Sequence, residues 1–268
     1  MAMMGFIGAG NMGYPMLRGA LKIFGMDNVV FTDASKDRCE FVKKETGLSY
    51  LNDNKAIANS CKYILLAVKP QYFGEVYKDL QGMITPDQVI ISIAAGITIE
   101  DVKTGLGLNV RVVRAMPNMP AMVNEGMSGV CFSTDTFSEE EKTIIDQFFT
   151  SFGKYQIFEE RLMNAVICAN GSSPAYVYMF IEALADSVVK YGIPRDQAYT
   201  LAAQTVLGAA KMVLETGAHP GVLKDQVCSP GGTTIAAVSA LEEYGLRNAV
   251  IKATDACFDK ATSMIKNK

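Results

Sequence analysis

The chain has 268 residues, with 25 Lys and Arg against 28 Asp and Glu and a single histidine; a formal charge of -3 leaves no basic surplus for nucleic-acid binding. Apolar residues make up 49% and charged residues 20%, ordinary globular values that exclude a disordered or low-complexity chain. The length suits one large domain or two modest ones.

From Met1 to Leu17 the chain carries no charge, yet it lacks the basic region and cleavage site of a signal peptide, so a mature N-terminus is expected. Over roughly the first 160 residues, short apolar runs alternate with segments of helical period, the pattern of βαβ units building a parallel sheet. Strands are predicted at 3–7, 29–32, 63–68, 89–93, 110–114 and 129–132, and helices at 12–24, 36–46, 55–59, 73–81 and 99–105. A last helix of this half starts at Ser138, where Glu141 completes a capping box ahead of Ile144, Ile145, Phe148 and Phe149.

Directly after the first strand comes Gly8-Ala9-Gly10-Asn11-Met12-Gly13, opening a helix through Met16, Leu17, Ala20 and Leu21. Gly8 permits a tight turn, Gly10 lets the backbone approach a pyrophosphate, and Gly13 lets the helix pack close to the strand. The helix N-terminus offers free N–H groups and a positive dipole end to phosphates. Asp33 closes the second strand, where a carboxylate accepts hydrogen bonds from the adenosine ribose of NAD. Ser35, Lys36 and Arg38 follow at once and are the residue types that hold a 2′-phosphate, so both NAD and NADP stay open; Ser35 also reads as a helix cap. Ala67-Val68-Lys69-Pro70, Ala94-Ala95-Gly96 and Met116-Pro117-Asn118 fall at the carboxyl ends of further strands, where open α/β sheets bind ligands.

Beyond about residue 160 the strand pattern stops and long apolar helical segments follow, divided at Gly192-Ile193-Pro194, Gly217 to Pro220, Ser229 to Gly232 and Gly245. The predicted domains are therefore 1–160 and 161–268. The uncharged run from Leu162 to Ile181 reaches membrane-spanning length, but its polar centre points to a non-membrane helix buried on most sides. A small helical half this apolar needs a partner surface, which predicts a homo-oligomer. The six cysteines, Cys39, Cys61, Cys131, Cys168, Cys228 and Cys257, show no CxxC and no metal-ligand spacing, so neither a metal nor a disulfide scaffold is expected, and a cytoplasmic location is.

Ser229-Pro230-Gly231-Gly232-Thr233-Thr234 precedes an apolar helix through Ile235, Ala236, Val238 and Leu241. Small residues at a helix start leave N–H groups uncovered for a carboxylate, with the hydroxyls of Ser229, Thr233 and Thr234 as further donors; a plain N-cap has the same spacing. Gly171-Ser172-Ser173-Pro174-Ala175-Tyr176 interrupts the long helical stretch as a kink or a close helix contact.

These motifs, together with Arg114-Ala-Met-Pro-Asn118 and His219-Pro220, occur in the order seen in pyrroline-5-carboxylate reductases, which the chain resembles from about residue 4 to about residue 264. The resemblance implies an α/β fold with an N-terminal Rossmann-type dinucleotide-binding domain and an all-α C-terminal dimerisation domain. It also implies NAD(P)H-dependent reduction of 1-pyrroline-5-carboxylate to L-proline by a homodimer or larger ring. Carried over residue by residue, dinucleotide contacts fall on Ile7 to Met12, Ser35, Asn54, Ala67 to Pro70 and Ala94 to Gly96. Substrate contacts fall on Ser229, Gly231, Gly232, Thr233 and Thr234. The family commonly prefers NADPH, and Asp33 departs towards NADH.

A protonated cyclic imine is already an electrophile, so position matters more than side-chain chemistry. The expected arrangement seats the substrate carboxylate on the N–H groups of Gly231 to Thr233, with the Thr234 hydroxyl on the ring nitrogen as the catalytic contact. His219, at a helix break, is expected to be structural. Two alternatives are a 3-hydroxyacid dehydrogenase similar to the 6-phosphogluconate dehydrogenases and a non-catalytic NAD(P)-sensing regulator. The first places a catalytic lysine where residues 162–181 have none, and the second leaves the intact Ser229–Thr234 run without a use.

Overall fold

In the computed structural model, which describes residues 2–266, β1 (Ala2–Ile7), β2 (Val29–Thr32), β3 (Cys61–Leu66), β4 (Val89–Ser92), β5 (Arg111–Met116), β6 (Gly126–Phe132) and β7 (Gly153–Ile157) form one sheet. The order is β2-β1-β3-β4-β5-β6-β7, parallel throughout except for the antiparallel β5–β6 pair. The helices between the strands are α1 (Gly13–Phe24), α2 (Lys36–Thr46), α3 (Asn54–Ser60), α4 (Phe73–Leu80), α5 (Ile99–Leu106) and α6 (Glu139–Thr150).

Alternate residues of each strand feed opposite faces, so both faces of the sheet are apolar and both are covered. Phe6, Leu65, Ile91 and Val113 join Met16, Leu17 and Phe148 on one side. Ile7, Ile64, Ile90 and Val112 join Val76, Leu80 and Val102 on the other. Local chemistry sets the helix ends: the Ser35 side chain caps α2 by accepting from the Arg38 amide, and Gly47 ends it in the left-handed region. Ser138 and Glu141 cap α6 reciprocally, as their spacing predicts.

β7 has no counterpart among the predicted strands. It is an edge strand with Lys154, Gln156 and Ile157 exposed, so no apolar alternation marks it.

The chain divides into two compact units, one running to Ser172 and resuming at Cys257, the other Ser173–Ala256. The first unit ends its continuous run with α7 (Met163–Val166) and a π-helical turn at Ile167–Gly171. The second holds α8 (Ser173–Val189), α9 (Arg195–Thr216), α10 (Pro220–Val227), α11 (Thr233–Glu243) and the first half of α12 (Leu246–Lys266).

The expected helix over 162–181 is thus broken: a 3-10 turn at Glu160–Leu162, α7 and the π turn precede α8, whose start carries Pro174. Its expected burial is also corrected. Tyr178, Met179 and Phe180 are 58%, 69% and 44% exposed, while α8 packs against α9 through Ala185, Ile181, Leu184 and Val188. Among the described residues, the fully buried apolar side chains of the second unit are Ala185, Ala198 and Ala202, on α8 and α9. No helix among the described residues is long and apolar enough to cross a membrane.

Candidate active site

The glycine turn after β1 takes the shape its sequence dictates. Gly8 has φ +96°, and a Cβ there would stand 2.8 Å from the Ala67 carbonyl oxygen. A Cβ at Gly13 would lie 2.3 Å from the Gly8 carbonyl oxygen and 3.1 Å from Ala67 Cβ, so this glycine lets α1 start against the turn and the end of β3. At Gly10 a Cβ would meet nothing within 4 Å, which leaves the backbone bare towards open space. Met12, the N-cap of α1, supplies no side-chain cap, so the start of this helix is open to an anion.

Beside this turn lies a cleft of about 640 Å³ whose lining gathers Ile7, Gly8, Gly10, Asp33, Ser35, Asn54, Ala67, Val68 and Lys69. These were singled out from the sequence. Ala9, Asn11, Met12, Gly13, Lys36, Pro70, Ala94, Ala95 and Gly96 do not line it. A Cβ on Gly96, whose φ is +75°, would meet Met264 on α12 at 3.4 Å. Ala34, Tyr72, Glu75, Val76 and Asp79 line the cleft without having been predicted. Most of them sit on or beside α4, whose apolar period gave the helix but not the wall it builds.

Asp33 is engaged by the protein itself: Oδ2 accepts from the Ala9 amide at 2.8 Å and Oδ1 from the Ser35 amide at 2.9 Å. Arg38 is not turned to the cleft as a phosphate holder. Its Nε donates to the Ala9 carbonyl and Nη2 to that of Gly10, with the guanidinium 5.0 Å from the Tyr14 ring centre and 4.7 Å from that of Phe41. Ala9 is therefore held on both sides, its N–H by Asp33 and its C=O by Arg38. Asn54 donates to Asp79 across the cleft wall at 2.9 Å.

In the helical unit, Gly232 is the N-cap of α11 and no side chain caps that end. The segment is not the plain side-chain cap its spacing also allowed. Gly231, at φ +68°, turns the chain into the helix, and the Gly232 amide donates to the Ser229 carbonyl at 3.0 Å. Ser229 and Thr233 are exposed and Thr234 is half-buried. His219 caps α10, its Nδ1 accepting from the Gly221 amide at 3.0 Å, which is the structural role expected of it. Among the described residues, no group of three or more His, Cys, Asp or Glu side chains is placed to hold a metal ion.

A glycine turn feeding an uncapped helix, a carboxylate at the end of the neighbouring strand and a cleft at the strands' carboxyl ends define a Rossmann-type dinucleotide-binding oxidoreductase. The family described as NADP oxidoreductase, coenzyme F420-dependent, matches residues 3–96, and the family described as pyrroline-5-carboxylate reductase dimerisation matches residues 160–264. The pyrroline-5-carboxylate reductase of Escherichia coli is 42% identical over 98% of both chains, and that of Methanosarcina acetivorans is 42% identical over 94% of this chain and 95% of its own. A crystal structure of Plasmodium falciparum pyrroline carboxylate reductase with NADP bound superposes with a TM-score of 0.88 at 31% identity, covering 98% of each chain. The chain belongs to the pyrroline-5-carboxylate reductase family.

Proposed function

We propose that the protein reduces 1-pyrroline-5-carboxylate to L-proline with a nicotinamide cofactor, the last step of proline biosynthesis. The observation that carries this reading is the uncapped start of α11 at Gly232, in a chain that belongs to this family and has a separate dinucleotide cleft in its first unit. The residues around the cleft fit a dinucleotide: open space at Gly10 admits a pyrophosphate to the backbone, and Asn54, Ala67, Val68 and Lys69 provide walls.

Bound there, the reduced cofactor supplies the hydride. The amides of Gly231 and Thr233 bind the substrate carboxylate, aided by the Ser229 and Thr233 hydroxyls, and orient the ring, while the Gly232 amide, expected to join them, is committed to the Ser229 carbonyl. The Thr234 hydroxyl hydrogen-bonds the ring nitrogen and is the catalytic contact of this proposal. A functional division into 1–160, binding the dinucleotide, and 161–268, binding substrate and making the oligomer, is supported by matches that cover residues 3–96 and 160–264.

The chain acts as a homodimer or larger homo-oligomer, an assignment supported by the exposed apolar residues of α8 and the dimerisation match. Six free cysteines suit a reducing, cytoplasmic compartment. Initial rates with 1-pyrroline-5-carboxylate, measured with NADH and NADPH side by side, test the reading. Cofactor oxidation yielding proline is expected, and no oxidation with either cofactor overturns it.

A further inference from the structure

We infer that Asp33 makes this enzyme prefer NADH over NADPH, a specificity that rests on the reading of the cleft as a dinucleotide site. The Asp33 carboxylate is fixed in place by two backbone amides, those of Ala9 and Ser35, and it lines the cleft at the end of β2. An ionised carboxylate has about four lone-pair positions. Two amides leave acceptor capacity for ribose hydroxyls and nothing that donates to a phosphate.

The surrounding charges point the same way. Lys69 is the one cation among the described lining residues, against Asp33, Glu75 and Asp79. The nearby cations that would neutralise a 2′-phosphate are placed elsewhere. Arg38 is committed to the Ala9 and Gly10 carbonyls between two aromatic rings, and Lys36 is exposed in the first turn of α2 and does not line the cleft. The Ser35 hydroxyl oxygen accepts from the Arg38 amide in capping α2 and keeps its one proton to donate, a neutral donor without the charge that would offset Asp33. Beside Asp33 a 2′-phosphate would meet a fixed negative charge, answered at that end of the cleft by the neutral Ser35 hydroxyl and by neither Arg38 nor Lys36, whereas a 2′-hydroxyl would donate to that same charge.

Isothermal titration of the full chain with NADH and NADPH, without imine, reads the preference directly. NADH should bind at least about tenfold tighter, and the gap should shrink as added salt screens the repulsion. Asp33→Asn retains one acceptor and removes the charge, and should narrow the gap about tenfold. Arg38→Met releases the Ala9 carbonyl and leaves the carboxylate, so it should weaken both cofactors alike.

Tighter binding of NADPH by the wild type overturns the inference, as does a gap that Asp33→Asn leaves intact. An equal change of the gap in Arg38→Met assigns selectivity to the loop's shape and also overturns it. Because binding is read without substrate, a failure to reduce the imine would sink the proposed reaction while leaving this specificity standing.

Discussion

Asn118 and Asn170 bind each other's surroundings across 52 residues of chain. Asn118 Nδ2 donates to the Asn170 carbonyl at 3.1 Å and its Oδ1 accepts from the Met127 amide at 2.9 Å. Asn170 Nδ2 donates to the carbonyls of Met116 and Met127 at 2.8 and 2.9 Å. The pair, each residue 8% exposed, pins the π turn to the end of β5 and the start of β6.

Asn170→Ala removes a donor from the Met116 and Met127 carbonyls and should lose about 1–3 kcal/mol of stability in urea unfolding. Asn170→Asp should lose more, since it turns an oxygen towards both carbonyls. An Asp variant as stable as the wild type would contradict these hydrogen bonds.

Glu141 makes stability pH-dependent. Burial alone would raise its carboxyl, but Arg111 at 2.7 Å, the Ser138 amide and Lys62 outweigh this and hold it at about 2. A carboxyl lowered by folding stabilises fully above its unfolded value, 4.5, and loses that stability as pH falls from there towards about 2. Glu141→Gln should cost about 3 kcal/mol at pH 7 and show no such loss between those limits, as acid titrations of both proteins would reveal.

Thr234→Ala tests the catalytic contact. It should lower kcat about 10²-fold or more while leaving the KM for the nicotinamide cofactor near the wild-type value. An unchanged kcat removes Thr234 from the chemistry.

Met179→Glu together with Phe180→Glu places two charges among the exposed apolar residues of α8. Sedimentation analysis should find the wild type as a homo-oligomer and the double variant as monomer. A wild-type monomer at micromolar concentration would count against the assembly.

The parallel sheet was legible because strands buried on both faces read as apolar runs such as Ile64 to Leu66, and because Gly8 and Gly13 occupy positions where a Cβ collides. β7 was not, since an exposed edge strand lacks that pattern. The π turn was legible only as an interruption: Asn170 looks like any polar residue until Met116 and Met127 are brought to it. Composition made the apolar character of α8 plain but could not say whether its own chain or another covers it. Asp33 and Arg38 read as rival signals for two cofactors, and only geometry reveals that both grip Ala9.

With three alanines as its buried centre, the Ser173–Ala256 unit leaves many large apolar side chains exposed, and in the proposed homo-oligomer a second subunit covers them. In that proposed assembly, completing the protein is a second-order reaction. Its melting temperature should climb with the amount of protein in the tube, and a defective subunit made alongside a sound one should be carried into the same particle.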